Sequence, residues 1–191
     1  MWLLFVGAGF GIVLKYQVTS GGVGQSPSQW PSNTFITLDS QHDTLIMFAH
    51  PQCSCTRASI EELNRILAQY HDRLTAEVWF FKPKDLTGWN GTALEHDAAA
   101  IPGVVVKDDI DGQQARLFGA ETSGFVLLYD RQGKLLFKGG ITGSRGHAGD
   151  NSGENSIVAL VSGQCPPVTE TPVYGCSLHS ACAYVANSDS K

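Results

Sequence analysis

Apolar residues gather in short runs separated by polar, turn-forming stretches, and their spacing switches repeatedly between strand and helix periods. Residues 44–49, TLIMFA, make an apolar run of buried-strand length. Ile60, Leu63, Ile66 and Leu67 follow at helical spacing, which predicts an amphipathic helix over 55–70. Ser59 and Glu62 match a capping box, which offers that helix a later start. A second strand is expected over 74–81, centred on Val78, Trp79, Phe80 and Phe81. Residues 89–100 read as a helix ending before Pro102, 104–106 as a third strand, and 113–118 as a short helix. Gly124 then opens a strong strand through Tyr129, the turn residues 130–133 follow, and 135–141 returns as the hairpin partner. A closing helix is expected over 154–161.

Strands alternating with helices and then an antiparallel pair predict an α/β fold, a mixed sheet covered by helices on both faces. No internal repeat interrupts this order. Two flanking segments have a different character. Residues 2–14, WLLFVGAGFGIVL, are apolar or glycine throughout and end at Lys15. They are short against the roughly 20 residues of a membrane span and match the apolar core of a signal-like segment. The reading adopted is an uncleaved transmembrane anchor or signal-like segment over 1–19, which puts the domain outside the cytoplasm. Residues 20–33 turn to Gly, Ser and Pro, the composition of a flexible tether. The expected partition is thus an anchor over 1–19, a linker over 20–33, a domain over 34–163 and a tail over 164–191.

Charge and composition narrow the partners. The chain has 191 residues, 42% of them hydrophobic, which suits one core of ordinary size. A net charge of −5, with no basic run interleaved with aromatics, argues against nucleic acid. The five cysteines include no repeated CxxC, so a structural zinc ribbon is a poor fit. Reactive or ligating cysteines fit better than a disulfide-stapled framework.

The segment FAHPQCSCTRASIEEL, residues 48–63, carries the chemistry. Cys53 and Cys55 stand where a strand gives way to a helix, and a helix N-terminus favours thiolate over thiol. His50 and Arg57 are candidates to add positive charge. Two helical cysteines at i and i+2 point about 200° apart and cannot bridge, so a Cys53–Cys55 disulfide needs Cys53 in the preceding loop. The residues alone leave three readings open: a redox pair, two soft ligands for Cu(I), or buried filler.

With those residues in view, the chain resembles the thioredoxin-like superfamily over about residues 40–162, and more specifically the membrane-anchored RedB group in the TlpA/ResA-like branch. The finer likeness rests on FAHPQCSCTRAS, TSGFVLLYDRQGKLLFKGGIT, SRGHAGDNSG and TPVYGCSL. The resemblance implies a thioredoxin-like fold and exchange with protein thiols and disulfides or a membrane redox partner, without an organic cofactor. It gives Cys53 the place of the attacking cysteine and puts Thr56 at the resolving position, the second thiol standing at Cys55 instead. Gly124 falls where the superfamily has a cis-proline, which leaves substrate binding to the backbone of Ser123 and Gly124.

The glycine-rich stretch GGITGSRGHAGDNSG, residues 139–153, holds His147 and Asp150 beside Arg145, a candidate ligand or acid/base pair. In the Sco-type copper proteins of the same superfamily, two cysteines near the first helix and a distant histidine bind copper. The alternative reading is therefore a copper site of Cys53, Cys55 and His147. Cys176, in the proline-rich tail, is a candidate resolving thiol if the tail folds back. Cys165 and Cys182 read as incidental, or as paired with each other or with Cys176, and Asn90-Gly91-Thr92 matches a glycosylation acceptor. The expected function is thiol–disulfide exchange at the periplasmic face of a membrane, with Cys53 attacking, Cys55 resolving or sharing the disulfide, Cys176 a candidate relay, and Arg57 and His147 tuning the site. Its alternatives are copper handling and a non-catalytic interaction domain.

Overall fold

The structure, a computed structural model, describes residues 1–84, 89 and 91–179, so Asn90 and Cys182 lie outside the described residues. Five strands form one sheet: β1 (Asp43–Ala49), β2 (Leu74–Lys82), β3 (Val104–Ile110), β4 (Phe125–Tyr129) and β5 (Leu135–Gly139). Their order is β3-β2-β1-β4-β5. β1 runs parallel to β2 and β2 to β3, while β4 pairs antiparallel with both β1 and β5. The helices are α1 (Trp2–Val18), α2 (Thr56–Tyr70), α3 (Ala93–Ala99), α4 (Gln113–Leu117) and α5 (Ser152–Val161). This mixed sheet flanked by helices is consistent with the thioredoxin-like arrangement.

The alternation of β1 explains why both faces are covered. Leu45, Met47 and Ala49 point into a cluster with Ile60, Leu63, Ile66 and Leu67 of α2 and Ile157 and Val161 of α5. Ile46 and Phe48 point the other way, to Ala115, Phe118, Val173 and Leu178. The tail therefore contributes two side chains to the second core layer. Because β1 is central and buried on both faces, its C-terminal end is a fixed platform for whatever follows it.

Several boundaries differ from expectation for local reasons. α2 starts at Thr56 and not after Ser59, because the Glu62 carboxylate turns away from the helix start. It accepts from Arg65 Nη1 at 3.1 Å and from the Gly149 amide at 2.6 Å. α3 starts late because Thr92 and Glu95 form the capping box there. β3 extends to Ile110 through polar Lys107, Asp108 and Asp109, as an edge strand with one open face allows.

The transmembrane helix expected at the N-terminus needs correction. α1 forms, but over 17 residues, and no helix among the described residues is long and apolar enough to cross a membrane. None of its residues is buried, so Trp2, Leu4 and Phe5 remain 72–75% exposed. The Gly/Ser/Pro stretch after it does not stand clear of the domain as a flexible tether would. The Gly24 amide bonds the Gly119 carbonyl at 3.0 Å, the Trp30 amide bonds that of Gly133 at 2.7 Å, and Pro27 O accepts from the Tyr129 hydroxyl at 2.8 Å.

Candidate functional site

Residues 50–55 form a turn between the end of β1 and the start of α2, with the Cys53 amide bonding His50 O at 3.1 Å. Cys53 therefore sits in the loop, while Cys55 is the N-cap of α2 and makes no side-chain capping bond. Cys53 is only 1% exposed. Burial pushes its thiol up, but hydrogen bonds from the side chain and backbone of Thr56 and of Cys176 together outweigh it, so Cys53 is lowered overall.

The donors can be traced further back. Ser123 Oγ accepts from the His50 amide at 2.7 Å and lies 2.6 Å from Thr56 Oγ1. Because the Thr56 hydroxyl donates toward the Cys53 sulfur, the hydrogen between it and Ser123 comes from Ser123. A buried chain from amide to hydroxyl to hydroxyl thus ends on the thiolate, and each bond polarises the next.

The other side of Cys53 is covered by the tail. The Ser123 amide bonds Cys176 O at 2.8 Å, the Leu178 amide bonds Glu121 O at 2.9 Å, and Thr122 and Ser177 form an antiparallel bridge. Val173 and Leu178, each 1% exposed, anchor this short strand. It carries the Cys176 amide to within 3.4 Å of Cys53 Sγ. Desolvation and the neighbouring Cys53 and Cys55 push the Cys176 thiol up to about 12. Desolvation, then the charge on Cys53, also raises Cys55, against the pull of Arg145. Of these three cysteines Cys53 alone has its thiol lowered, and it is held among donors and two raised thiols.

The remaining predicted site residues divide sharply. His50 supplies no positive charge: it is buried against Phe81 and Trp89, its Nδ1 accepts from the Gln52 amide at 3.2 Å, and desolvation lowers it. Arg57 points to α3, where it pairs with Asp97 at 2.6 Å on the surface. Gly124 does occupy the site's edge. Its φ of +86° and a Cβ position 2.7 Å from Ser59 Oγ both require glycine. Its amide bonds Phe48 O at 2.8 Å, a bond proline could not make, while the Ser123 amide bonds the tail at Cys176 O.

His147 and Asp150 are exposed, and no hydrogen bond or ion pair joins them among the described residues. Nor, among the described residues, are any three His, Cys, Asp or Glu side chains disposed to hold a metal ion, so the set Cys53, Cys55 and His147 is not assembled. From the same loop Arg145 reaches the site instead. Its Nη1 donates to Gly175 O, its guanidinium carbon lies 4.8 Å from the centre of the Tyr16 ring, and its charge acts on Cys55 and Cys176. Sequence reasoning placed the charge in the arginine nearest in the chain, and no spacing signal pointed to the one nearest in space. Thr56 had a signal, since it stands three residues after Cys53.

No protein-family model matches the chain, and no curated protein does either. Among solved structures it is similar to an uncharacterized conserved protein from Geobacillus kaustophilus, with a TM-score of 0.61 and 19% identity over 84% of this chain and 91% of that one. It is also similar to a hypothetical protein from Sinorhizobium meliloti 1021, with a TM-score of 0.58 and 19% identity over 85% and 94% of the two chains. More remote is a putative thiol:disulfide interchange protein from Chlorobium tepidum, with a TM-score of 0.47 and 19% identity over 75% and 95%. The first two likenesses establish the shared fold. The chemistry has to be argued from the residues.

Proposed function

We propose that the protein exchanges thiols and disulfides with protein partners, with Cys53 as the attacking thiolate and Cys176 as the resolving thiol. The observation that carries this reading is the Cys176 amide donating to Cys53 Sγ at 3.4 Å, beside a Cys53 whose thiol is lowered. The electrons balance over two steps. Cys53 S⁻ attacks one sulfur of a partner disulfide, forming a mixed disulfide and releasing the first partner thiolate. Cys176, after losing its proton to solvent or to that thiolate, attacks Cys53 and releases the second. The partner gains two electrons and the protein holds a Cys53–Cys176 disulfide. The reverse sequence oxidises a partner dithiol.

Cys55 is the second thiol within reach of the same sulfur and serves as a reserve exchange partner. The apolar, unburied surface of α1 supports placing the protein at a membrane, on its extracytoplasmic side, where disulfides persist. The end of α1 lies against Arg145, since the Arg145 amide bonds Gln17 O at 3.1 Å, so such an anchor would set the thiol site close to the bilayer. The RedB-like motifs agree with that placement.

The test is equilibration of the full chain in glutathione buffers of graded potential, with disulfides mapped by mass spectrometry. One reversible two-electron couple joining Cys53 and Cys176 is expected. It should survive Cys55→Ser and vanish in Cys53→Ser and in Cys176→Ser. A chain in which Cys53 forms no disulfide at any potential refutes the reading.

A further inference from the structure

We propose that residues 173–178 are a built-in occupant of the site's docking edge, and that a partner's extended cysteine segment must replace them there. This rests on Cys53 being the exchanging thiol. In the state seen here Cys53 is 1% exposed, and disulfide exchange needs the incoming sulfur on line with the attacking one. The tail lies against Cys53, joined to the Thr122–Ser123 edge by an antiparallel bridge and with its own cysteine amide 3.4 Å from the Cys53 sulfur.

The contacts that hold the tail also describe what can take its place. Two are made by backbone alone, from the Ser123 amide to Cys176 O and from the Leu178 amide to Glu121 O, and any extended chain can reproduce them. The others are selective. A Cβ on Gly175 would come within 2.0 Å of the Ser123 carbonyl oxygen, so the residue before the cysteine must be glycine unless the edge shifts. Leu178 is 1% exposed within the second core layer, so the position two beyond the cysteine must be apolar. Arg145 requires a carbonyl at the place of Gly175 O. The occupant is therefore a Gly-Cys-x-Leu type of segment in extended form, which selects a protein partner over a small thiol. Because the tail is tethered, it competes at high effective concentration, and the partner reaches Cys53 only when the tail opens. Opening is local, since Gly21 holds the tail upstream through the bond from its amide to Val173 O at 2.8 Å.

The probe is a synthetic peptide TPVYGCSL whose cysteine carries a 2-thiopyridyl disulfide. Cys53 S⁻ attacks the peptide sulfur, the new Cys53–peptide disulfide forms, and pyridine-2-thiolate leaves. The full chain carrying Leu178→Asp should form this adduct on Cys53 at least about tenfold faster than the unaltered chain. The peptide TPVYVCSL should lose most of that gain. Equal rates in the two chains, or equal rates for the two peptides, would overturn the proposal. On the unaltered chain, hydrogen exchange gives a second test that needs no variant. The Ser123 and Leu178 amides, bonded only while the tail is docked, should exchange much faster than Leu127 in β4. Protection equal to that of Leu127 means the tail does not open and sinks the idea. If Cys53 of the Leu178→Asp chain is readily alkylated by iodoacetamide yet exchanges with no disulfide, the exchange function fails while the occupant stands.

Discussion

Two polar clusters lie along α2, and burial has opposite outcomes in them. At its start, desolvation raises the Cys53 thiol, yet donors from Thr56 and Cys176 reverse the effect and lower it overall. Two turns on, Glu62 is fully buried and meets Glu154 of α5. There desolvation, then the hydrogen bond and charge of Glu62, push the Glu154 carboxyl up to about 7, and Arg65 only partly opposes them. Donors, rather than depth, decide between the two. Thr56 and Cys176 both donate toward one sulfur at the first site. At the second, the Arg65 guanidinium and the Gly149 amide both donate to Glu62, so the neighbouring Glu154, without either donor, is the carboxyl that keeps its proton longest.

The sharpest way to break that contrast is to remove a donor from the first cluster. Thr56→Val deletes the hydroxyl that links Ser123 to Cys53 while keeping the buried shape. A hydrogen bond to a charged group is worth about 1.5–3 kcal/mol, and one pKa unit corresponds to about 1.4 kcal/mol. The Cys53 pKa should therefore rise by at least about one unit, read from the pH titration of its Cβ resonance. The Ser123 hydrogen loses its acceptor as well, so stability should fall by about 1–2 kcal/mol in urea unfolding. An unmoved titration would mean the hydroxyl does not point at the sulfur.

Much of this was legible in the sequence, though unevenly. The strands and helices of the sheet announce themselves through period, because β1 must be apolar on both faces and α2 on one. Cys53 was legible because a strand-to-helix junction is short and local. The return of the tail was legible only through Cys176; its exact seat was not, since residues 173–178 carry no period long enough to register. Its pairing with Ser123 is a contact between distant parts of the chain. Arg145 was missed for the same reason. His50 was misread because its ring is enclosed by Phe81 and Trp89, aromatic neighbours that no local pattern brings beside it.

The second cluster yields a prediction in pH. The Glu154 carboxyl is raised from 4.5 to about 7, so between those values the folded state holds a proton the unfolded chain has released. Stability should consequently fall as pH rises through that window and level off above it. Glu154→Gln keeps a donor toward Glu62 and has no proton to lose, so its urea midpoint should be flatter across the same range. His50 acts in the opposite direction, because its lowered pKa costs stability as pH falls below the ordinary histidine value. That contribution is common to both chains, so the difference between their profiles isolates Glu154. Parallel profiles would show that the carboxylates do not share a proton.

The smallest effect expected is the most useful for separating proximity in sequence from proximity in space. Arg57 lies four residues from Cys53, which makes it the obvious electrostatic partner on a linear reading. Its guanidinium nevertheless pairs with Asp97, with both side chains about half exposed, and Cys53 takes its stabilisation from hydrogen bonds instead. Arg57→Ala should therefore cost only about 0.2–1 kcal/mol, as an exposed ion pair joining two helices does. It should leave the Cys53 titration where it was. If that titration moves up by as much as in Thr56→Val, long-range charge sets the thiolate, and the contrast drawn between donors and depth is wrong.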